Sequence, residues 1–210
     1  MSRTSIDKIL NRAGKIAGKI TGDLCVNYRP LDYINPVQAK NLLAPKYAAF
    51  WLSKNFDKTV DYNFEIFDVQ VDATDVLPGD IFTNAESMYV IVSSRSMEAC
   101  QAILINEYIT IKRPSYADQG AGFGATTTDV AVNLPVNLLS VSGGNASVGM
   151  PSTRAGSKGA FQEYKIRTYF QSELLKTGDQ VVDSQGRKSI INSIDYSAFA
   201  GYTLTCQEVK

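Results

Sequence analysis

Leu77-Pro78-Gly79-Asp80-Ile81-Phe82 and Leu175-Lys176-Thr177-Gly178-Asp179-Gln180-Val181-Val182 are two versions of one pattern. Gly permits a positive φ and Asp bonds its neighbouring backbone, so Gly-Asp makes a tight turn. A short apolar step follows each turn, and then a polar turn: Thr83-Asn84-Ala85-Glu86-Ser87 in the first copy, Asp183-Ser184-Gln185-Gly186-Arg187 in the second. Next comes an apolar run, Tyr89-Val90-Ile91-Val92 or Ser189-Ile190-Ile191, which completes a hairpin pattern. A two-stranded hairpin is not stable alone, so each copy must recruit strands from its flanks. Phe64 to Val71 and Tyr164 to Phe170 precede the turns with strand-like alternation. Ala102 to Ile105, running into Tyr108 to Ile111, and Tyr202 to Cys206 follow them. Shared order across two such segments indicates an internal repeat. The expectation is a mainly β protein with an N-terminal α-helix, in which two related small β-barrel or sandwich units are joined by a long Gly-rich arm.

The 210 residues suffice for one or two domains with a core, and 44% hydrophobic with 20% charged residues is ordinary for a globular chain. Charge balances at 21 basic and 21 acidic residues, so no global field draws the chain to nucleic acid or membrane. No secretory signal pattern follows Met1 and no apolar run reaches spanning length, so no membrane role is expected. Cys25, Cys100 and Cys206 are widely spaced and odd in number, which suits neither a disulfide framework nor a zinc site.

The chain contains no histidine. That removes Ser-His-Asp and Cys-His catalysis, histidine-ligated metals and the usual general base near neutral pH. Asp72, Asp75 and Asp80 surround the first Gly-Asp turn, and Asp179 and Asp183 the second. Carboxylates that recur with the fold read as turn residues. Asp72 to Asp75 also lacks the spacing of a calcium loop. Gly79, Asp80, Gly178, Asp179 and Gly186 are therefore taken as structural turn residues, with no catalytic residue, metal or cofactor expected.

Residues 1–63 read as an N-terminal unit. Ile6, Ile9, Leu10, Ala13, Ile16, Ala17 and Ile20 recur at helical spacing from about Thr4 to Thr21, with Gly22 as the stop. Lys8, Arg12, Lys15 and Lys19 form a basic stripe, a candidate contact for a partner or DNA. Gly14 and Gly18 weaken this helix in isolation, so it needs something to pack on. The rest of the unit is irregular and aromatic-rich, and Tyr28, Arg29, Tyr47, Phe50 and Trp51 are candidate interface anchors. Residues 64–114 form the first β-unit and 161–210 the second. Between them, 115–160 is rich in Gly, Ser and Thr and reads as an arm or linker, with one strand candidate from Val130 to Val141. Gly120-Ala121-Gly122-Phe123-Gly124 lacks the strand, helix and lysine context of a phosphate-binding loop.

In combination, the basic helix, Tyr28-Arg29-Pro30, the first Gly-Asp unit with Tyr89-Val90-Ile91-Val92, the Gly-rich connection and the second unit with Asp183-Ser184-Gln185-Gly186 are similar to the neck proteins of tailed bacteriophages. These are the head–tail connector, adaptor and head-closure group. The likeness covers residues 3–30, 64–114 and 161–210; the first copy departs in having Asn84-Ala85-Glu86-Ser87 in place of Asp-x-x-Gly. The resemblance implies a non-enzymatic virion protein made in the bacterial host cytoplasm. It would form a ring of identical subunits, of about sixfold or twelvefold symmetry, in contact with portal and neighbouring neck or tail proteins. Genomic double-stranded DNA would pass through the lumen. The arm would order against a neighbouring subunit, by strand addition at an open barrel edge. The alternatives are another virion component (tail tube, capsid decoration or fibre attachment) and a nucleic-acid-binding pair of β-barrels.

Overall fold

The computed structural model describes residues 3–52, 66–94, 100–115, 126–141, 163–169, 174–197 and 201–209. Helix α1 (Arg3–Thr21) leads into six strands: β1 (Asp23–Tyr28), β2 (Leu42–Leu52), β3 (Ile66–Val71), β4 (Ile81–Thr83), β5 (Met88–Ser93) and β6 (Cys100–Ile105). They close into a barrel in the order β1-β2-β3-β6-β5-β4. Six more strands follow: β7 (Glu107–Ser115), β8 (Thr126–Val141), β9 (Glu163–Thr168), β10 (Gln180–Asp183), β11 (Lys188–Ser197) and β12 (Gly201–Glu208). They close in the same cyclic order, β7-β8-β9-β12-β11-β10. The fold is mainly β with one N-terminal helix and two related barrels, as the repeated pattern implies.

The duplication reaches the irregularities of the ladders. The β1–β2 register shifts between Cys25 and Asn27, and the β7–β8 register shifts between the equivalent Ile109 and Ile111. The β5–β6 register shifts between Ile91 and Ser93, and the β11–β12 register between Ile191 and Ser193. Bulges bend and twist a strand, which a small closed barrel requires at fixed points. The first bulge also houses Pro45, which has no N–H to give to a ladder. There the Asn27 side chain donates to the Ala44 carbonyl at 3.1 Å.

The unit boundaries differ from those expected. Residues 23–52 are not an irregular docking segment but supply β1 and β2 of the first barrel. Leu24 and Val26 face outward although apolar, and Pro45 interrupts β2, so neither strand shows clean alternation. Strand β7 does not close the first unit: it pairs with β8 and β10 and opens the second barrel. Strand β8 occupies 126–141, inside the expected arm, so that part is barrel wall; 116–125 and 142–162 lie outside the described residues.

Side chains fill both interiors. Phe82, Ile91, Val69, Val71 and Cys25 pack inside the first barrel; Ile109, Ile111, Val136, Ile166, Ile191 and Leu204 pack inside the second. A further cluster, Ile81, Val90, Val92, Ile103 and Ile105, lies on the opposite face of β4, β5 and β6, under Tyr28, Val37 and Tyr169. Burial on both faces explains why β5 and β6 read as unbroken apolar runs. The barrels are separated by Asn106 alone, whose side chain donates to the Leu138 carbonyl at 2.9 Å and accepts from the Leu138 N–H at 2.7 Å. Asn137 donates back to the Leu104 carbonyl at 2.8 Å.

Helix α1 lies against β2 and β3 by its glycines, not by its isoleucines. A Cβ on Gly14 would sit 2.4 Å from the Val71 carbonyl oxygen; one on Gly18 would sit 2.7 Å from that of Tyr47. Lys15 reaches Asp72 at 3.2 Å. The apolar face points away from the barrel: Ile9 is 53% exposed, Ile16 51% and Ile20 76%. Alanine is a better helix former than glycine by about 1 kcal/mol, yet Gly14→Ala should unseat the helix, because the obstructing atom is backbone. Faster tryptic cleavage after Lys15 and Lys19, with the barrel circular dichroism unchanged, is the expected outcome.

Candidate functional site

The densest polar constellation is built twice. In the first barrel, Arg29 Nε donates to Asp80 Oδ1 at 2.8 Å, and Arg29 Nη2 to Asp80 Oδ2 at 2.7 Å. The same Nη2 donates to the Asp75 carbonyl at 2.5 Å. In the second, Arg113 Nε and Nη2 each reach an Asp179 carboxylate oxygen at 2.8 Å, and Nη2 also donates to the Leu174 carbonyl at 2.6 Å. The Leu77 and Lys176 N–H groups each donate to an oxygen of their own turn's aspartate at 2.9 Å. Gly79 and Gly178, at φ 95° and 89°, make the turn. Their N–H groups donate to the carbonyls of Ile91 and Ile191.

Asp80 and Asp179 are each 2% exposed, so both carboxylates depend on these donors in place of water. A bidentate guanidinium matches a carboxylate geometrically, and here each arginine is held more firmly protonated, first by the hydrogen bond to its aspartate. The latch sits on the barrel seam. Tyr28 pairs with Ile81 across β1–β4, so Arg29 and Asp80 form the next rung. Lys112 pairs with Gln180 across β7–β10, so Arg113 and Asp179 do the same. Both carboxylate oxygens of each aspartate are occupied by the fold, which is what a structural role requires.

The polar turns beyond also correspond. Asn84 Oδ1 accepts from the N–H groups of Glu86 and Ser87; Asp183 Oδ1 accepts from those of Gln185 and Arg187. Asn84-Ala85-Glu86-Ser87 therefore caps its hairpin as the Asp183 turn does, and Gly186 adopts φ 78°. Arg113 escaped the sequence reading as the counterpart of Arg29. The signal was Arg29-Pro30 and Arg113-Pro114, the same dipeptide at the end of the first strand of each barrel.

Among the candidate anchors, Tyr28 covers the cluster on β4–β6 and Arg29 belongs to the latch. Phe50 stacks on Tyr89 with centroids 3.8 Å apart, against the first barrel's own core. Tyr47 and Trp51 are exposed, as are Lys8, Arg12, Lys15 and Lys19. A cleft of about 250 Å³ opens between the barrels, lined by the Arg29–Asp80 pair together with Tyr33, Pro78, Pro135 and Tyr169. Among the described residues, no group of three or more His, Cys, Asp or Glu side chains could hold a metal ion, and no helix is long and apolar enough to cross a membrane.

Removing Asp179 strands Arg113 and the Lys176 N–H. Asp179→Ala should destabilise the protein by about 2–3 kcal/mol, and Asp80→Ala should match it, as read by chemical denaturation. All three cysteines are buried. Burial pushes Cys25 up to about 11 and Cys206 up to about 12, and raises Cys100. Iodoacetamide near pH 8 should modify none of them in the folded chain and all three in denaturant, by intact mass. The unfolded thiols ionise near their ordinary 9.0 while the folded ones keep their protons, so stability should fall as pH rises above that value.

The chain matches no protein-family model, no curated protein and no solved structure.

Proposed function

We propose that this chain is a non-enzymatic structural protein of a virion. It assembles with copies of itself into a ring in the neck of a tailed bacteriophage, between portal and tail, around the path of the DNA. The observation that carries this reading is the duplicated barrel unit. Each copy presents a Gly-Asp turn, a strand, a capped polar turn and a strand, the element on which the likeness to neck proteins rests. The buried latches support a mechanical role, because they commit the conspicuous carboxylates to closing the barrels rather than to a substrate.

Closure also changes how such a ring would be held. Neither barrel presents an open edge for strand addition, since β4 pairs with β1 and β10 with β7. Subunit contacts would come from the outer surfaces and hairpin ends, such as the end of β7–β8, where residues 126–129 are exposed. A second reading, a nucleic-acid-binding barrel pair, draws on the exposed Lys8, Arg12 and Lys19.

Quantitative mass spectrometry of purified particles of the encoding phage tests the proposal. About six or twelve copies per particle is the expected result, because closed rings fix copy number by symmetry. Hundreds of copies would move the protein to the tail tube or capsid surface. Absence from particles, with salt-sensitive binding of duplex DNA by the isolated chain, would favour the second reading.

A further inference from the structure

The outward face of α1 has no partner among the described residues, and its layout specifies one. Ile9, Ala13, Ile16 and Ile20 follow the alternating four-three spacing of a helix–helix seam. Ile9, Ile16 and Ile20 are at least half exposed, whereas Gly14 and Gly18 on the other face are pressed against the β2 and β3 backbone. The helix is therefore mounted with its apolar stripe away from the barrel. Arg12 and Lys19 flank that stripe on one side at the positions that face a partner helix, and Lys8 and Lys15 lie just behind them. Leu10 and Ala17 flank the other side, so no carboxylate borders the stripe.

We infer that this face is a docking seam for an amphipathic helix of a different protein, one whose apolar stripe is bordered by carboxylates opposite Arg12 and Lys19. The stripe itself is made of Ile and Ala, with Leu10 and Ala17 along one edge, a pattern suited to helix pairing. A helix lying in a bilayer surface typically carries Trp or Phe on its apolar face, and α1 has no aromatic residue. A second copy of α1 is disfavoured by charge. Antiparallel pairing would set Arg12 and Lys19 against the same cations, and parallel pairing would offer them no acid. DNA would engage the lysines and leave the isoleucines in water. The inference stands on the helix alone and does not depend on the virion reading.

The test uses the full chain and two labelled synthetic peptides, each an amphipathic helix with a Leu/Ile stripe. One carries Glu at both flanks and the other Lys. Fluorescence anisotropy should show binding of the Glu peptide, weakened by added salt, with the Lys peptide weaker by roughly tenfold or more. Ile16→Asp, at an exposed position that should not perturb folding, should abolish binding while leaving the circular dichroism unchanged. Equal binding of both peptides, no binding of the Glu peptide, or unchanged binding by the Ile16→Asp variant would overturn the proposal. So would tighter association with phosphatidylglycerol vesicles or a DNA duplex than with the Glu peptide, or self-association of the chain that Ile16→Asp removes.

Discussion

A buried carboxylate must be answered by the fold, and this chain answers two of them in the same way. Asp80 and Asp179 have lost nearly all contact with water. Each is compensated by two guanidinium hydrogen bonds and one backbone N–H. Such a group is expensive to leave unpaired, so it makes the alternatives worse more than it makes the native state better. Its location gives it leverage. The pair continues the ladder where the fourth strand of each barrel meets the first, β4 on β1 and β10 on β7. A barrel of short strands leaves its seam with few backbone bonds, three register pairs in the first barrel and four in the second. One charged, bidentate rung there extends a short ladder.

Closure in turn determines what the molecule can offer others. A closed sheet has no unpaired edge, so recognition falls to outer faces, hairpin ends and the appended helix. The two barrels are tied by asparagines at a one-residue connection. Isoleucines, tyrosines and prolines line the space between them. Helix α1 is seated by close backbone approach at glycines, which commits its small face inward and its apolar stripe outward. A two-barrel body bearing an outward helix suits assembly better than turnover, which supports the proposed function.

The duplication was legible in the sequence because its marks are local: Gly79-Asp80 and Gly178-Asp179 with their apolar steps and polar turns. Strands β3, β5, β6, β9, β11 and β12 were visible for the same reason. The two strands that begin the first barrel were not. β1 carries apolar residues on both faces and β2 carries a proline at a bulge, so neither shows clean alternation; β8 was visible from Val130 to Val141, but the Gly-, Ser- and Thr-rich residues around it made it read as part of an arm. The boundary between barrels was misplaced because β6 and β7 run on through a single residue, Asn106, and read as one unit. The latches join residues 51 and 66 apart, beyond any local pattern. Helical periodicity located α1 but not the face that seats it on the barrel, because that contact is glycine against backbone and contributes nothing to an apolar count.

Backbone amide exchange on the intact chain tests the central claim, that equivalent latches close both barrels. The Leu77 and Lys176 amides donate to the buried carboxylates, while those of Gly79, Gly178, Ile91 and Ile191 complete the two turns. Residue-resolved exchange should show these six amides protected in matched pairs, with Leu77 and Lys176 far slower than free peptide. Free-peptide exchange at Leu77 and Lys176, or protection confined to one of the two turns, would contradict the account.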